Sequence, residues 1–197
     1  MFLKKIILIC VVLWVAYVYF AYSKTNTEPV AYVTPEASTE RVAEDIIRDV
    51  FGTQIRRTGE TSPMPSVASV RSINQADGTV ALDMRVHLYG AKEHGVLTSL
   101  LSNSKKLFPR LIADEKLKGY NEFRLYGSLL MRDRNGNESE DWISKVFLTR
   151  NAAQEIAWDK TDTTNLHFLL TKKNDGKNCT YWVHGGILSK ISWLNAK

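Results

Sequence analysis

The sequence predicts an α+β fold: helices packed on one face of an antiparallel, hairpin-built sheet, behind a single N-terminal transmembrane helix. Three observations predict it. An uncharged apolar run opens the chain, strand-like runs come in pairs around Asp-Gly or Asn-Gly turns, and stretches with apolar residues at helical spacing separate those pairs. Helices laid on a hairpin-built sheet bury both kinds of apolar face economically. Residues 1–24 then form a cytoplasmic stub and anchor, 25–38 a linker, and 39–197 one exported α+β domain.

The anchor is read from length and flanks. The 17 residues Ile6–Tyr22 carry no charge, and as a helix they reach about 25 Å, the short end of what crosses a hydrocarbon core. Lys4 and Lys5 precede the run, which places the N-terminus in the cytoplasm by the positive-inside rule. Trp14, Tyr17, Tyr19 and Tyr22 crowd its outer end, where an aromatic belt holds a retained helix at the interface. The expected location is the inner membrane, single-pass, with the C-terminal domain outside the cytoplasm. The alternative is a signal peptide cut near Ser23, after which the domain is secreted. Pro29 and Pro35 make the following segment a semi-extended linker.

The first helix reads STERVAEDIIRDVFG: Val42, Ile46 and Val50 repeat at helical spacing, Ser38 or Thr39 can cap the start and Gly52 can close the end. A loop with Gly59, Pro63 and Pro65 leads to a hairpin around Asp77-Gly78, whose second run alternates Val80, Leu82, Met84, Val86 and Leu88 against Ala81, Asp83, Arg85, His87 and Tyr89. EHGVLTSLLSNSKKLFPRLIADEK is helical, with Pro109 expected to kink or split it. A second hairpin turns at Asn135-Gly136, and NAAQEIAW makes a short helix. NLHFLLTKK and KNCTYWVHG are expected to pair as a third hairpin around Asp175-Gly176. The C-terminal stretch, rich in large apolar groups from Tyr181 to Leu194, is expected mostly to cover the core.

Composition excludes some functions. The net charge is +5, but Lys4, Lys5 and Lys24 flank the anchor, and beyond it 23 basic residues face 21 acidic ones, so no nucleic-acid footprint remains. Cys10 and Cys179 would lie in different phases, which argues against an intramolecular disulfide, and no cysteine framework for a metal exists.

No catalytic motif stands out, and no cofactor or metal is expected. Asp83, Arg85 and His87 share a strand face with His94 a short way on. The residue types suit a general base or a paired-histidine metal site, but the same pattern is the polar side of an amphipathic strand. DRNGNESED offers oxygen ligands, yet its glycine spacing and strand flanks fit a hairpin turn rather than a calcium loop. His184-Gly185-Gly186 lacks the nucleophile elbow that an esterase oxyanion loop would serve.

These readings rank the function classes. The first is a membrane-tethered, extracytoplasmic protein-binding domain: an accessory part of an envelope, secretion or conjugation-type assembly, or an exclusion or immunity factor, with another envelope protein as partner. The layout resembles that of the single-pass assembly factors of bacterial secretion and conjugation machines, a likeness of arrangement without a shared motif. An exported ligand-binding or sensor domain is the alternative, and a metal-dependent hydrolase on His87 and His94 ranks below both.

Overall fold

The computed structural model describes residues 39–56, 63–88, 93–132, 135, 137–189 and 191. The expected anchor, with Lys4, Lys5, Trp14, Tyr17, Tyr19 and Tyr22, and the linker lie outside the described residues. Among the described residues no helix is long and apolar enough to cross a membrane.

The described elements run α1 (Thr39–Phe51), β1 (Gln54–Ile55), β2 (Met64–Pro65), β3 (Val67–Asn74), β4 (Val80–His87), α2 (Glu93–Ala113), a 3-10 turn (Glu115–Leu117), β5 (Glu122–Arg132), β6 (Glu138–Thr149), α3 (Arg150–Gln154), α4 (Thr163–Lys173), β7 (Cys179–Val183) and α5 (Gly185–Leu188). Strands β3 to β7 form a sheet in chain order, and β1 pairs with β2 as a small ribbon. The fold is α+β, as the alternation of strand pairs and helical stretches implies.

Helix α1 forms where its apolar spacing places it. Ala43, Ile46 and Ile47 are buried, and Gly52 at φ 84° supplies the left-handed turn that ends it. The first hairpin closes around Asp77-Gly78: Gly78 takes φ 81°, and the Asp77 carboxylate accepts from the Thr79 amide (3.0 Å) and hydroxyl (2.7 Å). The second hairpin pairs Glu122↔Thr149 through Arg132↔Glu138.

Three expectations need correction. First, the sheet is mixed rather than wholly antiparallel, because β4 and β5 run parallel, from Ala81↔Glu122 to His87↔Ser128. The long helix α2 between them is a crossover, which a parallel pair requires and a hairpin does not. Second, residues 163–173 are a helix, so no third hairpin forms. Asp162 caps its start by accepting from the Asn165 amide (2.7 Å), and Leu166, His167 and Leu170 lie on one buried face. The Asp175-Gly176 turn is real, with Gly176 at φ 69°, but it joins a helix to a strand. Third, α2 is not split by Pro109. Leu107, Phe108 and Leu111 around the proline are fully buried, as is Leu101 before it. Burial worth about 1.5–3 kcal/mol per side chain exceeds the roughly 3 kcal/mol cost of the missing amide and ring clash.

One core fills the space between the helices and one face of the sheet. Leu82, Met84, Phe123, Leu125, Val146 and Leu148 belong to it, together with the buried faces of α1, α2 and α4. Ile187 and Ile191 also join it, so the start of the C-terminal stretch covers the core as expected; Trp193 and Leu194 lie outside the described residues. The Arg150 guanidinium pins the turn after α2, donating to the carbonyls of Ile112 (3.0 Å), Leu117 (2.5 Å) and Tyr120 (2.9 Å). Gly127 sits at a bulge where β5 crosses Leu88 and Ser144, a spot with no room for a side chain.

Candidate functional site

The second face of the sheet carries the residues that alternate with the core positions. Strand register arranges them in transverse rows. Arg85, Tyr126, Lys145 and Trp182 face one another across β4, β5, β6 and β7, and Asp83, Arg124, Phe147 and Thr180 form the next row. None of these eight belongs to the apolar core cluster. Trp142 and Trp182 are 37% and 41% exposed, so no described element covers this face around them.

The face is built from cations stacked on rings. The Arg85 guanidinium lies 5.3 Å from the Tyr126 and Trp142 ring centres, Arg124 lies 5.7 Å from Phe147, and the Lys145 ammonium lies 5.6 Å from Trp182. Tyr126 meets Phe147 edge-on at 5.0 Å and Trp142 at 6.0 Å. Carboxylates hold two of the cations from beneath: Asp83 accepts from Arg85 Nε at 3.0 Å, and Glu122 accepts from Arg124 at 2.9 Å. The Glu122 hydrogen bond raises the Arg124 pKa, while burial, with Asp83 nearby, raises that of Tyr126.

Of the polar cluster read from sequence, Asp83, Arg85 and His87 do share this face. Asp83 is buried at 2% exposure, and Ala81 is fully buried, so β4 is covered on both sides rather than half-buried. Interior position accounts for part of it, since β4 lies between β3 and β5, and the Arg85 side chain bonds the Asp83 carboxylate. His87 faces Ser128 and Glu140 through Nδ1, with Ser128 Oγ at 3.1 Å. The side chain of His94 lies outside what the structure describes, and among the described residues no group of three or more His, Cys, Asp or Glu is placed to hold a metal.

The trio of Ser128, His87 and Glu140 contains the groups of a nucleophilic relay but not its geometry. A relay needs the hydroxyl on one ring nitrogen and the carboxylate on the other. Here Nδ1 meets both, and the fully buried Ser128 hydroxyl donates directly to Glu140 Oε1 at 2.5 Å. Glu140, one of the oxygen ligands of the calcium look-alike, is thus engaged with the sheet; Asp141 accepts from the Ser139 hydroxyl at 3.0 Å, and Asp133 lies outside the described residues.

Among the described residues, cavities lie elsewhere. A cleft of about 790 Å³ opens between α2 and the segment leading into α4, floored by Pro109, Ile156 and Trp158 and edged by Lys105, Lys106 and Asp159. The Trp158 ring stacks on Phe108 at 5.3 Å, and its indole N–H donates to the Ala153 carbonyl at 2.8 Å, which fixes that floor. A smaller polar cavity of about 330 Å³ lies beside Asp175 and Cys179. There the Asp175 carboxylate accepts from the amides of Lys177, Asn178 and Cys179, holding its pKa well below the usual carboxylate range, and burial pushes the Cys179 thiol up to about 11. A thiol so protonated is a poor nucleophile.

Sequence reasoning missed Arg124, Tyr126, Trp142, Lys145 and Phe147 as members of one surface. The β6 spacing hid them: the irregularity opposite Gly127 inserts Ile143, so Trp142 and Lys145 share a face three residues apart instead of two. Comparison of the chain with protein-family models, with curated proteins and with solved structures gives no match in any of the three.

Proposed function

We propose that the chain is a membrane-tethered, extracytoplasmic docking domain that binds another envelope protein through the uncovered face of its sheet. The observation that carries this reading is the pair of exposed tryptophans on this face, Trp142 beside Arg85 and Tyr126 and Trp182 beside Lys145. Trp, Tyr and Arg dominate interface energetics because they combine large contact area with directed polar groups. The tether is supported by the uncharged run Ile6–Tyr22, the lysines before it and the aromatic residues at its outer end. Such a domain serves as an accessory part of an envelope, secretion or conjugation-type assembly, or as an exclusion or immunity factor.

A photo-crosslinking residue placed at Trp142 in the full chain in its membrane is expected to capture a defined protein, and one at Lys172 on α4 is not. Trp182→Ala should abolish that capture. Equal capture from both positions, or none from position 142, overturns the docking reading. Protease added outside the membrane should remove the domain while the N-terminal segment stays with the membrane. Recovery of a shortened chain in the soluble fraction would instead support cleavage near Ser23.

The cleft beside Trp158 supports a second reading, an exported ligand-binding or sensor domain, since its volume and apolar floor suit a small molecule. That reading predicts that a small amphiphile raises the melting temperature of the full chain, and that Ser102→Trp, adding bulk at the wall, removes the effect.

A further inference from the structure

We infer that the partner segment docked on the uncovered face is acidic and extended as a polyproline II helix with a carboxylate at every third residue. This inference rests on the docking reading and names the chemistry of its partner. Two observations lead to it.

The first is the depth of the charges. In the two arginine pairs on this face the acid lies deeper, whereas in the His87–Glu140 pair the carboxylate is the more exposed, 34% against 14%. The Asp83 side chain is 3% exposed against 40% for Arg85, and Glu122 is 16% exposed against 22% for Arg124. Lys145 has no carboxylate against it among the described residues and rests on the Trp182 ring. Glu140 is turned to His87 and Ser128. Along the row of Arg85, Tyr126, Lys145 and Trp182 a partner therefore meets guanidinium and ammonium groups set among rings, although the formal charges of the face nearly balance. Carboxylates are the complementary group, and they also bond guanidinium in its preferred fork geometry.

The second is the spacing within one row. Arg85, Tyr126, Lys145 and Trp182 alternate cation and ring across four strands. Adjacent strands lie about 4.8 Å apart, so the two strands that carry these cations lie about 9.6 Å apart, and both cations lean the same way, Arg85 over Tyr126 and Lys145 over Trp182. A polyproline II helix rises about 3.1 Å per residue with three residues per turn, which returns a side chain to the same face every 9.3 Å or so. An ordinary extended strand returns one about every 6.8 Å, a poorer match. Carboxylates at every third position can thus meet Arg85 and Lys145 together, while intervening apolar residues lie on Tyr126 and Trp182. Aromatic surfaces are the usual bed for such helices.

The test uses the full chain in detergent micelles and fluorescent probes. A Glu-Pro-Pro repeat peptide and its Lys-Pro-Pro counterpart are titrated by anisotropy, with phosphatidylglycerol-containing vesicles and oligothymidylate as competing ligand classes. The Glu peptide is expected to bind about tenfold more tightly than the Lys peptide, more weakly as salt rises. Lys145→Glu should reverse the preference. Because Lys145 is half-buried on the surface, this change should leave the fold intact, and unchanged circular dichroism would confirm it. The double variant Asp83→Asn/Arg85→Gln, which removes the pair without stranding the buried Asp83 charge, should weaken the Glu peptide by a similar factor. Equal binding of both peptides, no binding of either, an unaltered preference in Lys145→Glu, or tighter binding of vesicles or oligothymidylate overturns the inference. If the crosslink from position 142 survives any of these results, the docking reading stands and the acidic partner falls; if that crosslink is also absent, both fall.

Discussion

At the scale of single residues, two positions hold the architecture that presents the sheet face. A Cβ on Gly127 would lie 2.5 Å from Leu88 Cδ1 and 2.6 Å from Ser144 Oγ, and both neighbours are buried in the packed interior. Gly127→Ala is therefore expected to cost about 1–3 kcal/mol in urea unfolding, as overpacking does. The Ser144 hydroxyl has no hydrogen-bond partner among the described residues. Ser144→Ala alone should be close to neutral, and the double variant should recover a good part of the Gly127→Ala loss, since one of the two clashes disappears. Strict additivity would show that Leu88 alone resists the new methyl. Arg150 is the second position. Its three carbonyl acceptors lie in the last turn of α2 (Ile112) and in the segment between α2 and β5 (Leu117 and Tyr120), and its guanidinium rests 5.0 Å from the Phe123 ring. Burial lowers its pKa somewhat, as expected for a cation whose partners are neutral dipoles. Arg150→Met should cost about 3 kcal/mol, and Arg150→Lys most of that, because an ammonium cannot span three divergent carbonyls. Denaturant midpoints of the two variants check it.

At the scale of elements, α4 and β7 show both what local sequence can state and where it stops. An apolar run such as Leu166–Leu170 is compatible with strand or helix when read alone. The deciding features were present: Asp162 before the run as a cap and Lys172 and Lys173 in the last turn, favourable to the helix dipole. A good hairpin turn at Asp175-Gly176 masked them. Helix α1 and both true hairpins were legible because periodicity and turn residues agree there. The parallel join of β4 and β5 was not, since it depends on where a crossover helix sets its strand down. The open face was legible in part: alternation put Asp83, Arg85 and His87 together, but the rows they share with Tyr126, Lys145 and Trp182 exist only once register is fixed. The packing of α4 on β7 also carries a pH dependence. His167 Nδ1 lies 2.8 Å from the Tyr181 hydroxyl, with the Phe168 ring edge-on, and burial lowers the His167 pKa from its ordinary value near 6.5. Burial raises the Tyr181 pKa, so the phenol stays neutral. The unfolded chain then binds a proton that the native chain resists. Stability is full above about pH 6.5, falls as pH drops through that value, and levels off below the lowered native pKa. Urea midpoints between neutral and mildly acid pH should show this fall, and His167→Gln should flatten it. Asp175 acts with its own sign in a lower window: its carboxylate is bonded in the native turn, and that contribution is lost as pH falls below about 3.9.

At the scale of the whole described domain, the sheet divides labour between its faces. One face is sealed by α1, α2 and α4 into a single core, and the other is held by ring contacts and shallow ion pairs that solvent still reaches. Exposed ion pairs and ring contacts contribute little to folding, whereas fully buried aliphatic side chains contribute several kcal/mol each. The two faces should therefore respond differently to truncation. Leu125→Ala and Leu82→Ala, at fully buried positions on β5 and β4, are expected to lower unfolding free energy by about 2–5 kcal/mol, while Trp142→Ala and Trp182→Ala stay within about 1 kcal/mol. Crosslinking from position 142 should respond in the opposite order, lost in Trp182→Ala and kept in whatever folded fraction of the leucine variants remains. A tryptophan variant that unfolds as readily as Leu125→Ala would mean that the aromatic face is part of the core and not a surface kept for a partner. Leu82→Ala, Leu125→Ala and Trp182→Ala are each read for both stability and docking, so a loss of partner through unfolding is separated from a loss of the contact itself.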